Sequence, residues 1–441
     1  MPGADAMLRS HLVPLAAVIV ASAIFQLSNG TLGTLLPVRL GLAEAGEIAT
    51  GLIATAYAGG FVIGCVIGAR VIRTVGHIRA FATFAATAAV ASLLFQVAVD
   101  TTLWFTLRVI HGICIAGLST VVDSWINERT PNALRGRVIA LYTITITLAL
   151  VGSQFLIGLF DVTSAQLIMV VSGLFSLALI PVSLTRAETP VQPKVVGVSV
   201  RRLYRVAPVA AVGCFAVGFM NTAVMNITPY FLSSAAVSAA TIGLLMGMIQ
   251  TGRLVLQWPI GLLSDLIDRR IVVLATSTAI ALIMLALAFV GPVKGAALRG
   301  ESGELIRLGI IALFCLWGGF ALTLYAICVA HAQDRGAPGE AVALTSSLLF
   351  AWAIGATIGP LVVALLMELL GERMLFYSSA AVAALLAGFT AWRLALRERP
   401  PAEDRSGFAG VPITSPVIAE LRPASASGEA PRAAERAAAA D

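Results

Sequence analysis

Charged side chains are scarce in this sequence. Asp, Glu, Lys and Arg make up 12% of its 441 residues, while apolar residues make up 59%. Soluble globular domains carry about 25% charged residues. A chain of this length with so few charges cannot cover a globule with a solvated surface, so composition predicts an integral membrane protein.

Metal-binding and disulfide frameworks are also missing from the sequence. The five cysteines lie inside apolar runs without the spacing of either framework, so we expect them to be packing residues. The four histidines are widely separated, which argues against a membrane-embedded enzyme. No Gly-x-x-x-x-Gly-Lys-Ser/Thr loop for ATP is present. We therefore predict no metal site and no cofactor.

The positive net charge does not indicate nucleic-acid binding. The formal charge is +6 at pH 7, but the basic residues lie in short breaks between apolar runs and form no single patch. We therefore expect no nucleic-acid partner.

Long apolar runs are what the chain has instead. A helix needs about 20 apolar residues to cross roughly 30 Å of hydrocarbon, and lipid forces each crossing segment to pair its backbone groups internally. The predicted spans, numbered 1 to 12, are 12–38, 48–69, 78–98, 103–125, 137–160, 164–184, 207–232, 241–263, 271–291, 308–331, 341–367 and 374–396. Span 1 starts like a cleavable signal peptide, but its apolar run continues well past the cleavage-like Ala21–Ala23, which favours a retained span.

Lysine and arginine placement predicts the orientation. Fifteen of these residues lie before span 1 or in the loops that follow even-numbered spans, whereas five lie in the loops that follow odd-numbered spans. Basic residues favour the cytoplasmic side. We therefore expect a multi-pass protein of the cell membrane with both termini in the cytoplasm.

The spans divide the chain into two halves. Residues 1–184 and 207–397 each hold six spans, and residues 185–206 form a basic, proline-containing linker on the predicted cytoplasmic side. Residues 398–441 are rich in Ala, Pro, Glu and Arg, with little that could form a core, so we expect a disordered cytoplasmic tail.

The two halves resemble each other at a constant offset of 192 residues. Asn29 then falls on Asn221, Pro37 on Pro229, and the glycines of spans 2 and 8 fall in register without a gap. Such a parallel repeat of six helices is known among secondary transporters.

Three short motifs point to one family. The turn between spans 8 and 9 reads GLLSDLIDRR (261–270), span 4 contains RVIHG (108–112), and span 11 contains GATIGP (355–360). Together with twelve spans in two halves, these motifs resemble the major facilitator superfamily, and the run DSWINERTPNALRGRVIALY resembles its YcaD-like branch. The resemblance covers residues 10–396 and implies an all-α membrane fold of twelve helices in two six-helix halves, the major facilitator fold.

The resemblance also implies a cytoplasmic gate formed by charges. Asp265 would face the start of span 5 near Gly136, because a helix N-terminus attracts negative charge. Arg269 or Arg270 would pair with Asp334 at the end of span 10. Such contacts would join the halves in one state and break in the other.

The corresponding turn of the first half departs from this pattern. Arg73 stands where the repeat places Asp265, and an arginine would be repelled by a helix N-terminus. We hypothesise a swapped pair, either Arg73 with Glu340 before span 11 or Arg73 with Asp123 in span 4. The alternative is that Arg73 only marks the cytoplasmic side.

Two arginines lie deep in predicted spans: Arg108 in span 4 and Arg253 in span 8. Charges inside a membrane are expensive and usually face a cavity or each other. Gln250, Arg253 and Gln257 share one helix face at i, i+3 and i+7. We expect this stripe to line a central cavity or to pack on another helix.

Other polar residues extend the candidate set. His111 lies one turn after Arg108 and could titrate near neutral pH or be a packed histidine. Asn29 and Asn221 mark matching interruptions of spans 1 and 7, which point either to a binding site or to helix–helix hydrogen bonding. The remaining candidates are Gln154, Tyr325 and Trp352.

These features predict a secondary transporter that moves a small solute by alternating access. Two deep cations without a deep carboxylate favour a polar or anionic solute, and protons are a candidate coupling ion. The alternative is a transporter-like membrane sensor that signals through its tail. We expect a monomer whose partners are the lipid bilayer and a small-molecule substrate.

Overall fold

The computed structural model describes residues 4–130, 134–184, 198–290, 298, 304–336 and 340–396. Within these ranges the chain is helical and contains no strands. Twelve helices are long and apolar enough to cross a membrane. Their bounds, numbered as spans 1 to 12, are Leu15–Leu42, Glu47–Val75, His77–Leu94, Thr101–Arg129, Arg135–Leu159, Ala165–Ser183, Pro208–Ser234, Ala239–Leu266, Arg269–Val290, Glu304–Gln333, Val342–Leu370 and Met374–Leu396. The all-α membrane fold predicted from the sequence is confirmed.

Several helices extend beyond the predicted apolar runs. The helix of span 1 covers Ala4–Leu42 and that of span 11 covers Ala341–Leu370, so both continue past the predicted ends at residues 38 and 367. Span 6 is interrupted at Ala178. Pro181 lies three residues later, and a proline ring clashes with the carbonyl group four residues before it. A short helix over Val200–Val206, here the linker helix, precedes span 7; the predicted tail lies outside the described residues.

Helix packing repeats between the two halves. Span 1 packs against spans 4, 5 and 6, and span 7 packs against spans 10, 11 and 12. Spans 2 and 4 pair as spans 8 and 10 do, and spans 3 and 6 pair as spans 9 and 12 do. Every one of these contacts maps onto its counterpart by adding six to both span numbers. The sequence repeat therefore corresponds to a repeat of three-dimensional packing.

The two halves meet through spans 1 and 7, 2 and 11, and 5 and 8. Because successive spans alternate in direction, the start of span 1 and the end of span 12 lie at one end of the bundle, here the terminus end. The loops that follow odd-numbered spans lie at the opposite end, here the far end.

Close contacts seal the two halves together toward the far end. Thr55 of span 2 donates a hydrogen bond to the carbonyl oxygen of Thr357 in span 11, at 2.7 Å. Ser233 of span 7 donates to the carbonyl oxygen of Val38 in span 1, at 2.9 Å. Gly51 approaches span 11 so closely that an added Cβ would lie 2.6 Å from the Cβ of Ala364.

A buried arginine holds the far end of the first half. Arg39, at the end of span 1, donates from Nε to the carbonyl oxygen of Val162 at 2.6 Å and from Nη1 to Gln96 at 2.8 Å. Its Nη2 donates to the carbonyl oxygen of Ser164, also at 2.6 Å. Since the guanidinium is only 7% exposed, these three bonds offset the cost of burying its charge.

We predict that Gly51→Val opens the far end. The valine side chain cannot fit against Ala364, so the two halves must separate there. In a cysteine-free background, spin labels at Ala43 and Glu372, both exposed, should report a longer distance.

The matched control for this prediction is Gly59→Val. Gly59 lies in the same helix, but an added Cβ there would meet nothing within 4 Å. An equal shift of the label distance in both variants would contradict the close packing of Gly51.

Candidate functional site

A cavity of about 230 Å³ lies between the two halves. The polar side chains that line it include Asn29, Tyr57, Arg108 and Gln154 from the first half and Asn221 and Gln250 from the second. Together with Trp352, six of the ten candidates named from the sequence therefore line one space. No Asp or Glu is among the lining residues, all of which belong to the described part of the chain.

The other four candidates lie outside this lining. His111 contacts the lining through a hydrogen bond to Asn29 and through the ring of Tyr57, with ring centroids 6.0 Å apart. Arg253 donates from Nε to Gln257 at 3.2 Å, within span 8. Tyr325 is buried in span 10. The stripe on span 8 thus contributes only Gln250 to the cavity itself.

Arg108 is the cation of the cavity. Its side chain is 2% exposed, and its Cζ lies 4.4 Å from the ring centroid of Tyr57, which is a cation–π contact. Its Nε and Nη1 have no hydrogen-bond partner among the described residues. Buried polar groups in native proteins nearly always have partners, so these two donors are candidate contacts for a ligand.

Asn29 organises the side chains around Arg108. Its Oδ1 lies 3.3 Å from the Tyr57 hydroxyl and 3.3 Å from His111 Nε2, so both donate to one oxygen. Its Nδ2 donates to Gln26 at 3.2 Å. The position of the Tyr57 ring, and hence of Arg108 over it, is therefore fixed from span 1.

Gln154 serves the packing of its own half. It accepts from Thr34 at 2.8 Å and donates to Ser153 at 2.9 Å. Across the interface its carbonyl oxygen faces Gly243, where an added Cβ would lie 2.5 Å away. Because its amide is already paired, Gln154 shapes the wall and leaves little hydrogen-bonding capacity for a ligand.

The second half presents unpaired acceptors to the same cavity. Asn221 donates from Nδ2 to the carbonyl oxygen of Ala321 at 3.0 Å, while its Oδ1 has no partner among the described residues. Gln250 Oε1 and the indole nitrogen of Trp352 are likewise unpaired within the described chain. The unpaired side-chain atoms of the lining are therefore donors on the first half and mainly acceptors on the second.

Aromatic side chains form part of the cavity wall, and most of them were not among the candidates named from the sequence. Phe61 of span 2 and Trp352 of span 11 meet edge to face across the two halves, with ring centroids 6.0 Å apart. Neither Tyr57 nor Phe61 was a candidate, because an aromatic residue inside an apolar run carries no signal of which way it faces. Only their proximity in the fold reveals them.

A charged cluster lies at the terminus end of the second half. Arg269, 2% exposed, donates from Nε to Asp334 at 2.6 Å and from Nη2 to Asp265 at 3.2 Å. Arg269 is thus the arginine of the turn that contacts Asp334. These pairs join spans 8, 9 and 10 of one half.

Arg270 has a different partner, Asp268, which was not a candidate. Its Nη2 lies 2.7 Å from Asp268 Oδ2, and both side chains are almost fully buried. Burial raises the pKa of the Asp268 carboxyl, but hydrogen bonds from the Arg270 side chain and backbone outweigh this, so its pKa lies below the ordinary value. The sequence signal was present, since Asp268 precedes the two arginines directly.

The corresponding turn of the first half uses a histidine. His77, which the 192-residue offset places on Arg269, lies with Nε2 3.0 Å from Ser124 in span 4. Gly76 before it has φ of 83°, a conformation that favours glycine. Both turns therefore attach to the fourth helix of their own half, with different chemistry.

The hypothesised partners of Arg73 have other contacts. Glu340 forms an ion pair with Arg202 of the linker helix. Asp123, fully buried, accepts a hydrogen bond from Tyr142 at 3.0 Å. Arg73 itself lies exposed in the last turn of span 2.

We predict that Asp268→Asn destabilises the protein at neutral pH, because removing one partner of a buried ion pair costs about 3–5 kcal/mol. Since the pKa of Asp268 is lowered by folding, its contribution is present above the ordinary value of about 3.9 and is lost as the pH falls through the folded value. Thermal unfolding in detergent should show a lower melting temperature for Asp268→Asn than for wild type at pH 7. This difference in melting temperature should narrow below pH 4.

The control for Asp268 is Glu372→Gln, in the exposed turn before span 12. It should leave the melting temperature within about a degree of wild type, as surface substitutions usually do. An unchanged melting temperature for Asp268→Asn at pH 7 would contradict the importance of the ion pair.

Comparison with known protein families places the whole bundle in one group. The model of the Major Facilitator Superfamily matches residues 18–210 and 210–431. The two matched segments correspond to the two packing repeats.

Individual proteins agree with this match. An uncharacterized MFS-type transporter of Yersinia enterocolitica is 25% identical over 400 residues, covering 90% of this chain and 98% of the relative. The uncharacterized MFS-type transporter YcaD of Escherichia coli is 24% identical over 363 residues, covering 81% of this chain and 90% of the relative. The crystal structure of a mutant of the nucleoside transporter NupG matches with a TM-score of 0.73 at 12% identity, over 87% of this chain and 100% of that chain. At that identity the likeness shows the fold alone.

Proposed function

This chain belongs to the Major Facilitator Superfamily, and from that premise we propose that it carries a small anionic solute across the membrane by alternating access. The protein is a multi-pass membrane transporter; the solute and the transport cycle are what we add.

The buried Arg108 carries the proposal. A cation inside a membrane-spanning helix is costly to insert, and two donors of Arg108 have no partner among the described residues. The cation–π contact with Tyr57 offsets only part of this cost. An anion in the cavity would neutralise the guanidinium and accept a charge-assisted hydrogen bond from one of these donors.

Alternating access accounts for the packing between the halves. The contacts at Gly51, Thr55 and Ser233 close the far end, so we assign this structure to a state in which the cavity opens toward the terminus end. With basic residues in the cytoplasm, the terminus end would face the cytoplasm and this state would be inward-open.

Charges at the terminus end would exchange partners in the opposite state. Asp265 would then face the start of span 5 near Gly136, where a helix N-terminus favours a carboxylate. Arg73 would meet Glu340 or Asp123. The contacts of Asp265 with span 5 and of Arg73 with Glu340 would join the two halves, whereas a pair of Arg73 with Asp123 would stay within the first half.

Spin labels at the terminus end of the bundle test the alternating-access cycle. Thr74 and Leu266 are exposed at the ends of spans 2 and 8, in opposite halves. In Gly51→Val, a spin-label distance between them should shorten while the far-end distance lengthens. Simultaneous lengthening at both ends would indicate unfolding or separation and would overturn alternating access.

A separate experiment tests whether transport is coupled to protons, whatever the class of the solute. His111 is the titratable side chain that contacts the cavity lining through a hydrogen bond, while no carboxylate lines the cavity. Flux into proteoliposomes should be compared with and without an imposed pH gradient. A flux that does not respond to the gradient would indicate facilitated diffusion of the anion.

We predict that Arg108→Ala weakens anion binding by about 10- to 100-fold, since a hydrogen bond to a charged group is worth about 1.5–3 kcal/mol. Arg108→Lys should retain part of the affinity, because lysine keeps the charge but loses the planar fork. A panel of anions and cations would be screened by thermal shift on purified protein and followed by flux in proteoliposomes.

Arg373→Ala, in the exposed turn before span 12, is the matched control and should bind the anion as wild type does. Comparable transport of an organic cation by wild type and Arg108→Ala, with no anion bound by either, would overturn the proposed function.

A further inference from the structure

We infer that the solute is a small monocarboxylate with a flat apolar body and a hydrogen-bond donor at the end opposite its carboxylate, so that it bridges the two halves; this rests on the proposed function. The carboxylate would bind Arg108 in the first half, and the donor would bind Asn221 in the second.

The unpaired atoms of the cavity differ in kind between the halves. On the first half they are Arg108 Nε and Nη1, both donors; on the second, within the described chain, they are two acceptors, Asn221 Oδ1 and Gln250 Oε1, and one donor, Trp352 Nε1. The orientation of the Asn221 amide is fixed, because its other end contacts the carbonyl oxygen of Ala321, which can only accept. A ligand that pairs Arg108 and Asn221 must therefore carry an acceptor at one end and a donor at the other.

Charge limits the ligand to one negative group. Arg108 is the sole cation among the lining residues of the described chain, and no carboxylate accompanies it. A second negative group would be buried without a counter-ion, and an ammonium group would meet only neutral oxygens near a fixed positive charge. A neutral donor, such as a hydroxyl group, fits Asn221 and Gln250 without either cost.

Size and wall chemistry define the body of the ligand. An apolar protein cavity of about 150 Å³ holds one benzene molecule, whereas drug-sized ligands occupy about 300–1,000 Å³. The cavity of about 230 Å³ therefore suits one ring with a short chain. Phe61, Trp352, Leu150 and Leu322 supply the apolar wall, and flat faces pack against aromatic edges.

Bridging would also link recognition to movement. The carboxylate of the ligand binds the first half and its hydrogen-bond donor binds the second. Only a ligand with both groups therefore gains contacts on each side when the halves close on it. A ligand can shift a conformational equilibrium only by its differential affinity for the two states. The two-ended solute should therefore promote closure of the terminus end more than either half-ligand does.

A four-compound series on one skeleton tests the inference: 3-(4-hydroxyphenyl)propanoate, 3-phenylpropanoate, 3-(4-hydroxyphenyl)propan-1-ol and tyramine. Affinities would be measured by thermal shift and calorimetry on the purified full-length protein. We expect the hydroxylated carboxylate to bind at least tenfold more tightly than 3-phenylpropanoate, and the neutral alcohol and tyramine to bind at least tenfold more weakly than either carboxylate.

Two variants locate the ends of the ligand. Asn221→Ala should bring the affinities of the two carboxylates within about twofold of each other, while Arg108→Gln should weaken both. Gln250→Ala provides a second test of the donor end if Asn221→Ala does not fold. Arg373→Ala is the control and should preserve the order of wild type.

The outcomes separate the two proposals. Equal affinities for both carboxylates, each dependent on Arg108, would overturn the bridging inference and leave anion transport standing. Tighter binding of tyramine than of the carboxylates would overturn both. If neither carboxylate binds, the inference is wrong, and the wider anion panel then decides the proposed function.

Discussion

The interior of a membrane offers no water to a polar group, and this constraint organises the molecule. Backbone groups are paired within helices, and most buried side-chain groups are paired by neighbours, as Ser28 is by the carbonyl oxygen of Val171 at 2.6 Å. Against this background, several unpaired polar atoms that share one cavity are informative. They lie where the two halves meet, with donors on the first half and mainly acceptors on the second. The cost of leaving them unpaired is what makes a ligand the simplest explanation.

The repeat explains how such a cavity can exist. Two six-helix bundles pack alike internally, so each is a stable unit that can move as a body against the other. Their interface, by contrast, is formed at a few close approaches near the far end. The divergence between the turns that hold His77 and Arg269 shows that the halves share a fold while differing in their charged contacts.

Sequence reasoning succeeded where lipid imposes a strong pattern. The twelve spans and their grouping into halves followed from hydropathy and an internal offset. Rare polar residues within the spans singled out Arg108, Asn29 and Asn221, which line the cavity, while their roles stay predictions. It failed where the role of a residue depends on the direction in which its side chain points. Arg253 and Gln257 share a helix face with Gln250 yet pair with each other, and one turn of rise along span 8 takes them past the cavity. Tyr57, Phe61 and Asp268 carry no periodic signal at all, since their roles depend on neighbours from other spans or on local pairing.

The linker helix has a mechanical consequence. It packs against spans 7 and 11, its Arg202 is paired with Glu340, and the amide of Ser199 donates to Ser347 at 3.1 Å, so it travels with the second half. Span 6 ends at Ser183 in the first half, and the stretch 184–198 connects it to the linker helix. At about 3.3 Å per extended residue, a chain of these 15 residues can span at most roughly 50 Å. Chain length alone would therefore not limit the separation of the two halves in the proposed cycle.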